Sequence, residues 1–282
     1  MRPDSLAVVG LGAIGGSVAW QARLAGVPRV VGFSPEPGER AAAVKAGAVT
    51  EIADTPARAV RGASLVILAT PPDATLELIG RLAPALERDA LLSDVASVKA
   101  RVVARAVEVG LADRFAGAHP LTGTHGSGFA HARPDRLRGC VVYVCASGSP
   151  AGDRAARGVM GFWEEILEAS PVLIDAAAHD RQLAWTSHLP QAVASALANA
   201  LARRGLGAVS FGPGARDTTR LAASNPDLWI EIFFQNREPV LEALEETGER
   251  LGELRRLIAA GDAAGLRAFL AAAAAFRRGL ER

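Results

Sequence analysis

Cysteine is almost absent from this chain: Cys140 and Cys145 are the only two in 282 residues. Both lie in the apolar run "CVVYVC", where strand alternation sends residues five apart to opposite faces, so neither a disulfide nor a metal pair is expected and both read as buried thiols. Net charge is nearly absent too. Lys and Arg number 31 against 30 Asp and Glu, which leaves +1 and removes the general electrostatic case for nucleic acid or an anionic membrane as partner. No run of eighteen uncharged apolar residues occurs, and the Ala-rich "AFLAAAAAF" is flanked by arginines and too short to span a bilayer. The opening "MRPDSLAVVG" lacks the charged segment and long apolar stretch of a secretory leader. These absences leave a cytoplasmic protein with a small-molecule ligand as the expectation.

What is present is apolar and regular. Half of the residues are hydrophobic and 22% are charged, enough to bury a real core, and the length suits two domains. Up to about residue 174, short β-branched runs ("LAVVG", "RVVGF", "SLVILAT", "ALLSDV", "FAGAHP", "CVVYVC", "PVLID") alternate with helical stretches or loops. That alternation predicts an α/β domain, doubly wound around a mostly parallel sheet of the Rossmann type. From 175 to 282 the strands stop and Ala/Leu-rich helical periodicity takes over. It is broken at Pro190, at "GLGAVSFGPGARD", at "SNPD", where Asn225 suits an N-cap with Pro226 in the first turn, and at Gly261 and Asp262. This helical half carries more apolar face than it can cover alone, so a homodimer through it is expected.

The first chemical signal is "VVGLGAIGGS". Gly10, Gly12 and Gly15 stand in G-x-G-x-x-G spacing after a strand and before a helix, predicted over 17–25. The first glycine makes the turn, the second lets the main chain approach a pyrophosphate and the third packs helix on strand. The loop Gly10, Leu11, Gly12, Ala13, Ile14 and Gly15 is therefore the candidate cradle for a nicotinamide dinucleotide. NAD is the expected cofactor, with NADP left open by Ser34. That residue ends the second strand, where NAD-binding proteins usually carry an acid for the ribose 2'-hydroxyl. Glu36 could substitute as that acid, and Arg40 is the next base.

Ligands of open parallel sheets bind beyond the carboxyl ends of the strands. Three such ends carry polar residues: Thr70 and Pro71 in "ATPPD"; Asp94, Ser97 and Lys99 in "SDVASVK"; and His119 and Thr124 in "GAHPLTGTHGSGF". A histidine there is a candidate base, because a neutral imidazole titrates near neutral pH. Ser97 reads equally as a helix N-cap, and Lys99 as a solvated residue at a helix start. In the helical half, Ser187, His188 and Gln191 surround Pro190 in an otherwise buried helix, where polar groups are costly unless paired or liganded. Arg216, Asp217, Thr219 and Arg220 follow a Gly-rich loop, and Arg220 suits either an ion pair with Asp217 or the clamping of a carboxylate.

Taken in order, "GLGAIGGS", "ATPP", "SDVASVK", "GAHPLTGTHGSG", "HD" followed by "SHLPQ", and "RDTTRLAASNPDLW" with Asn236 make the chain similar to the prephenate and arogenate dehydrogenase family. The resemblance spans residues 6 to 236. It implies a Rossmann-type domain joined to a helical dimerisation domain, and oxidative decarboxylation of prephenate to 4-hydroxyphenylpyruvate with hydride transfer to NAD(P)+ in tyrosine biosynthesis. It also implies roles: His119 as the base that takes the hydroxyl hydrogen, Ser97 as a hydrogen-bonding partner of that hydroxyl, Arg220 as the carboxylate anchor, and His188, Gln191 and Thr124 as pocket residues. Two positions depart from the family's pattern. Gln191 stands where many members have a second histidine, and His125 where many have Glu, the loss of which removes a partner for arogenate's ammonium and favours prephenate. The alternatives are an arogenate or dual-specificity cyclohexadienyl dehydrogenase, a β-hydroxyacid dehydrogenase or imine reductase, whose usual catalytic Lys the helical half lacks, and a non-catalytic NAD(P)-binding sensor.

Overall fold

The computed structural model describes residues 2–122, 126–205 and 210–280. The first half contains β1 (Ser5–Val9), α1 (Ala13–Leu24), β2 (Arg29–Phe33), α2 (Pro37–Lys45), β3 (Glu51–Ile52), α3 (Pro56–Val60), β4 (Leu65–Leu68), α4 (Pro72–Leu82), β5 (Leu91–Asp94), α5 (Ala100–Glu108), β6 (Ala116–Pro120), β7 (Val141–Ala146), α6 (Pro150–Glu165) and β8 (Ser170–Leu173). Five strands form a parallel sheet in the order β3-β2-β1-β4-β5, and β6-β7-β8 form a second sheet. A parallel bridge between Leu92 and Phe115 links the two, so β6 runs in the direction of β5 and ends on the same edge. The mostly parallel pattern breaks at β7, which is antiparallel to β6, while β8 is again parallel to β7.

Both faces of the first sheet are covered, which is why its strands read as unbroken apolar runs. Leu6 and Val8 of β1 point into one core cluster and Ala7 and Val9 into the other. The two thiols divide in the same way: Cys145 is buried on one side and Cys140 packs partly buried on the other. Burial pushes the Cys145 thiol up to about 12, so it stays protonated and inert.

Helix α1 starts at Ala13, four residues earlier than the sequence suggests, and both of its paired glycines are helical. The reason is packing. A Cβ on Gly15 would collide with the Gly10 carbonyl, and one on Gly16 would meet the ring of Phe129 at 2.7 Å. Bare backbone at these two positions lets the helix lie close to both the strand and the loop beneath it. Strand β3 has only two residues, too short to register as a run.

The helical half comprises α7 (Ala176–Leu183), a π turn (Ala184–His188), α8 (Leu189–Ala202), α9 (Pro213–Thr219), a 3-10 turn (Arg220–Ala223), α10 (Pro226–Gln235), α11 (Arg237–Ala260) and α12 (Ala263–Gly279). Around Pro190 the chain takes that π turn. Asn225 caps α10 by accepting from the Asp227 amide, and Gly261, with φ of 64°, closes α11 before Asp262 caps α12. The apolar surplus is visible here: Phe234 is 69% exposed and Phe276 71%. No described helix is long and apolar enough to cross a membrane.

Candidate active site

The glycine loop leaves β1 with Gly10 at φ 101°, a conformation open to glycine, and its amide donates to the Phe33 carbonyl at 2.7 Å. A Cβ on Gly12 would meet only Glu39 Oε1, at 3.9 Å. The first turn of α1 has no side-chain cap, so its amides remain as donors for an anion. This is the room and the donor set that a dinucleotide pyrophosphate needs. Leu11 is fully buried, with its side chain against Gly32, so only its main chain can serve a ligand. Ala13 is buried and Ile14 half-buried. Thr70 lies beside Gly10 and hydrogen-bonds Thr75 at 2.9 Å, and Pro71 opens α4. Ser34 is buried, and its hydroxyl donates to Glu39 Oε2 at 2.5 Å. Glu36 is exposed and uses its amide, not its carboxylate, on Ser34.

At the β5 end, two expectations are corrected. Lys99 is fully buried rather than solvated, and its ammonium pairs with the equally buried Asp94. Burial nonetheless pushes the Asp94 carboxyl up, outweighing the Lys99 charge that pulls it down. Ser97 is not the N-cap of α5. That task falls to Asp180, eighty residues on, whose Oδ1 accepts from the Lys99 amide and Oδ2 from the Ala100 amide, both at 2.8 Å. Ser97 is half-buried, and its hydroxyl makes no hydrogen bond among the described residues.

His119 sits at the end of β6, opposite Tyr143 of β7. Gly117, two residues earlier, has bare backbone over the ion pair: a Cβ there would lie 3.1 Å from Lys99 Cδ and 3.2 Å from Asp94 Oδ1. His119 Nδ1 is 2.9 Å from His179 Nε2, and His179 Nδ1 is 2.7 Å from Asp180 Oδ1. His179 is completely buried. Sequence reasoning noticed "HD" but gave neither residue a role. Only the fold shows that the Asp capping α5 also ends a chain of two imidazoles.

The helical half supplies the opposite wall. The Asn236 amide donates at 2.7 Å to the Asp180 carbonyl and faces His188 Nδ1 at 3.0 Å. Because that amide nitrogen can only donate, His188 carries its proton on Nε2. His188 Nε2 and Gln191 Oε1 are both buried without a hydrogen-bond partner among the described residues. Such groups cost about 1–3 kcal/mol each unless something completes them, so both are open to a polar ligand or to water. Arg220 is exposed at the start of the 3-10 turn, which packs against α8, the helix that carries Gln191. Thr124 and His125 lie outside the described residues.

Burial, with His179, Lys99 and His188 adding to it, holds the His119 imidazole well below the ordinary histidine range. His179 is lowered by burial against the pull of Asp180, and burial takes His188 down to about 4. All three are therefore neutral in the folded protein near pH 7, while in the unfolded chain they protonate around 6.5. Between those values the unfolded chain binds more protons, so stability present above about pH 6.5 is lost as the pH falls toward 4. Thermal melting at pH 7.5 and pH 5 should show a lower Tm at pH 5, with a smaller drop in His188→Gln. An equal drop in both proteins would mean that His188 is not held neutral.

Comparison with known proteins places the chain. The family model "Prephenate dehydrogenase, nucleotide-binding domain" matches residues 18–169, and "Prephenate dehydrogenase, dimerization domain" matches 175–272. A prephenate dehydrogenase of Bacillus subtilis is 30% identical over 98% of this chain and 76% of its own length. A cyclohexadienyl dehydrogenase of Zymomonas mobilis is 33% identical over 91% and 89%. Among solved structures, prephenate dehydrogenase from A. aeolicus, in complex with hydroxyphenyl propionate and NAD+, superposes with a TM-score of 0.89 at 28% identity over 98% of both chains. With both halves matched in order by the two models, the chain belongs to the prephenate dehydrogenase family.

Proposed function

We propose that the protein is a prephenate dehydrogenase, converting prephenate and NAD+ to 4-hydroxyphenylpyruvate, CO2 and NADH. The observation that carries this reading is the chain from Asp180 through His179 to His119, set at the end of β6 on the sheet edge where β5 also ends. The Asp180 carboxylate can only accept, so it fixes the His179 proton on Nδ1 and leaves Nε2 as an acceptor. His119 Nδ1–H donates to that acceptor. The free lone pair of His119 is then on Nε2, the nitrogen turned away from His179. One buried carboxylate thus selects the tautomer of a base two residues removed, the task that the Asp of a Ser-His-Asp triad performs through one imidazole.

In this reading the cyclohexadiene ring of the substrate lies with its C4 hydroxyl between His119 Nε2 and Ser97. His119 takes the hydroxyl proton and returns it to the ring oxygen as CO2 leaves, so no proton is gained or lost overall. The bound nicotinamide supplies a hydride acceptor, the ring carboxylate leaves as CO2, and the ring becomes aromatic. Aromatisation drives the change, so the protein's work is orientation and deprotonation. Arg220 anchors a substrate carboxylate, while His188 Nε2–H, Gln191 and Thr124 meet the remaining polar groups. Gly10, Leu11, Gly12, Ala13, Ile14 and Gly15 hold the pyrophosphate through main-chain amides, and Thr70 and Pro71 border the nicotinamide end. The two functional halves divide at residues 174 and 175. Two copies associate through the helical half, supported by its family description and its exposed apolar side chains, and the enzyme works in the cytoplasm.

The test is a set of initial rates with prephenate and with arogenate, each with NAD+. Faster formation of NADH and CO2 from prephenate is the expected result. Faster turnover of arogenate would move the protein to the arogenate or cyclohexadienyl side of its family, where the Z. mobilis relative stands. NADH from neither substrate would end the reading.

A further inference from the structure

The end of β2 presents a problem for any NAD-dependent enzyme, because the acid that usually receives the adenosine ribose is a serine here. Ser34 carries no charge, and its one proton is already committed. Its hydroxyl donates to Glu39 Oε2 at 2.5 Å, and its oxygen accepts the Glu36 amide at 3.2 Å. Both contacts hold the serine in place, and the first points to its substitute.

Glu39 lies in the first turn of α2 and is half-buried. Its second oxygen, Oε1, faces the glycine loop: it is 3.9 Å from where a Cβ on Gly12 would stand, and 3.4 Å from the same point on Gly128. Oε1 makes no hydrogen bond among the described residues. A carboxylate oxygen therefore stands between the β2 end and the pyrophosphate turn, on the path from the turn to the adenosine. The base that next follows Ser34 is otherwise engaged, since Arg40 Nη1 donates to the Ser34 carbonyl at 2.6 Å and to that of Pro35 at 3.4 Å.

We propose that Glu39, positioned by Ser34, is the residue that selects the cofactor. Its carboxylate accepts from the ribose 2'-hydroxyl of NAD, and its charge repels the 2'-phosphate of NADP. The geometry amounts to a displaced acid: the carboxylate comes from the helix that follows the strand, and the serine at the strand end orients it. This inference rests on the reading of the glycine loop as a dinucleotide site.

Calorimetric titration of NADH and of NADPH into the full-length protein tests it without any turnover. The wild type should bind NADH much more tightly than NADPH. Glu39→Gln keeps the size and can still accept from Ser34, but it lacks the charge. It should weaken NADH by about 10-fold, as expected when one charge-assisted hydrogen bond is lost, and strengthen NADPH, so that the preference narrows by on the order of 10²-fold. Glu39→Ala is the second variant and should narrow it likewise. An unchanged preference in a variant that melts like the wild type would overturn the proposal, as would a wild type that binds NADPH as tightly as NADH. Binding of neither dinucleotide by the wild type would instead bring down the cofactor reading itself, and the proposal with it.

Discussion

His119→Asn lowers kcat by about 10²-fold or more, the usual worth of a positioned general base, while the affinity for NADH stays close to that of the wild type. The asparagine keeps a polar group at the end of β6 but offers no lone pair of imidazole basicity where the hydroxyl proton must go. Because burial holds His119 below the ordinary histidine range, the acid limb of kcat/KM in the wild type lies below pH 6.5. Activity therefore persists into mildly acid solution. His179→Asn makes the dependence on the second imidazole measurable. It removes the acceptor that fixes the His119 tautomer and, with it, a ring whose protonated form opposes protonation of His119 as the pH falls. A fall in kcat of about 10- to 10²-fold follows, and the acid limb moves up toward 6.5. A purely structural loss would cost activity without moving that limb. Near-wild-type kcat in His119→Asn would remove His119 from the mechanism.

Arg220→Ala raises KM for prephenate by about 10- to 10³-fold, with kcat less affected. A charge-assisted bond to a carboxylate contributes about 1.5–3 kcal/mol, and more where the site is partly dry. Arg220 is exposed in the folded chain, so its removal leaves no buried hole, and the melting temperature should hold. Lys in its place recovers only part of the affinity, because an ammonium cannot offer the planar two-pronged contact of a guanidinium. An unchanged KM with a lowered melting temperature would assign Arg220 to holding the segment between α9 and α10 rather than to the substrate.

The fold was legible wherever the physics is local. The β-branched runs, the glycine spacing after β1, the Asn225 cap and the Gly261 break each depend on residues within a turn or two of one another, and each forms as expected. The position of His119 at the end of a strand was legible from the apolar run before it. What stayed hidden depends on contacts between distant residues. Lys99 looks solvated until Asp94 and the bare backbone of Gly117 close over it. Ser97 suits an N-cap by position, yet an aspartate eighty residues away takes the amides instead. Glu36 is nearer than Glu39 to the β2 end in sequence, but the first turn of α2 carries Glu39 back to the serine and leaves Glu36 facing solvent. The helical-half residues could be listed from their types, but only tertiary packing shows that His188 Nε2 and Gln191 Oε1 are buried without a partner among the described residues.

Asp180 belongs to the second half of the chain, and the two amides it caps belong to the first. The same carboxylate orders the imidazoles that end at His119. Setting the tautomer of His119 and docking the halves are consequently one event. A first half folded by itself would carry the glycine loop and the histidine but an unset proton, able to bind a dinucleotide and idle toward a hydroxyl. A motion that parted α7 from both α5 and β6 would break the two caps and the contact between the imidazoles together. In that state His119 would keep its imidazole but lose the partner that aims its basic nitrogen.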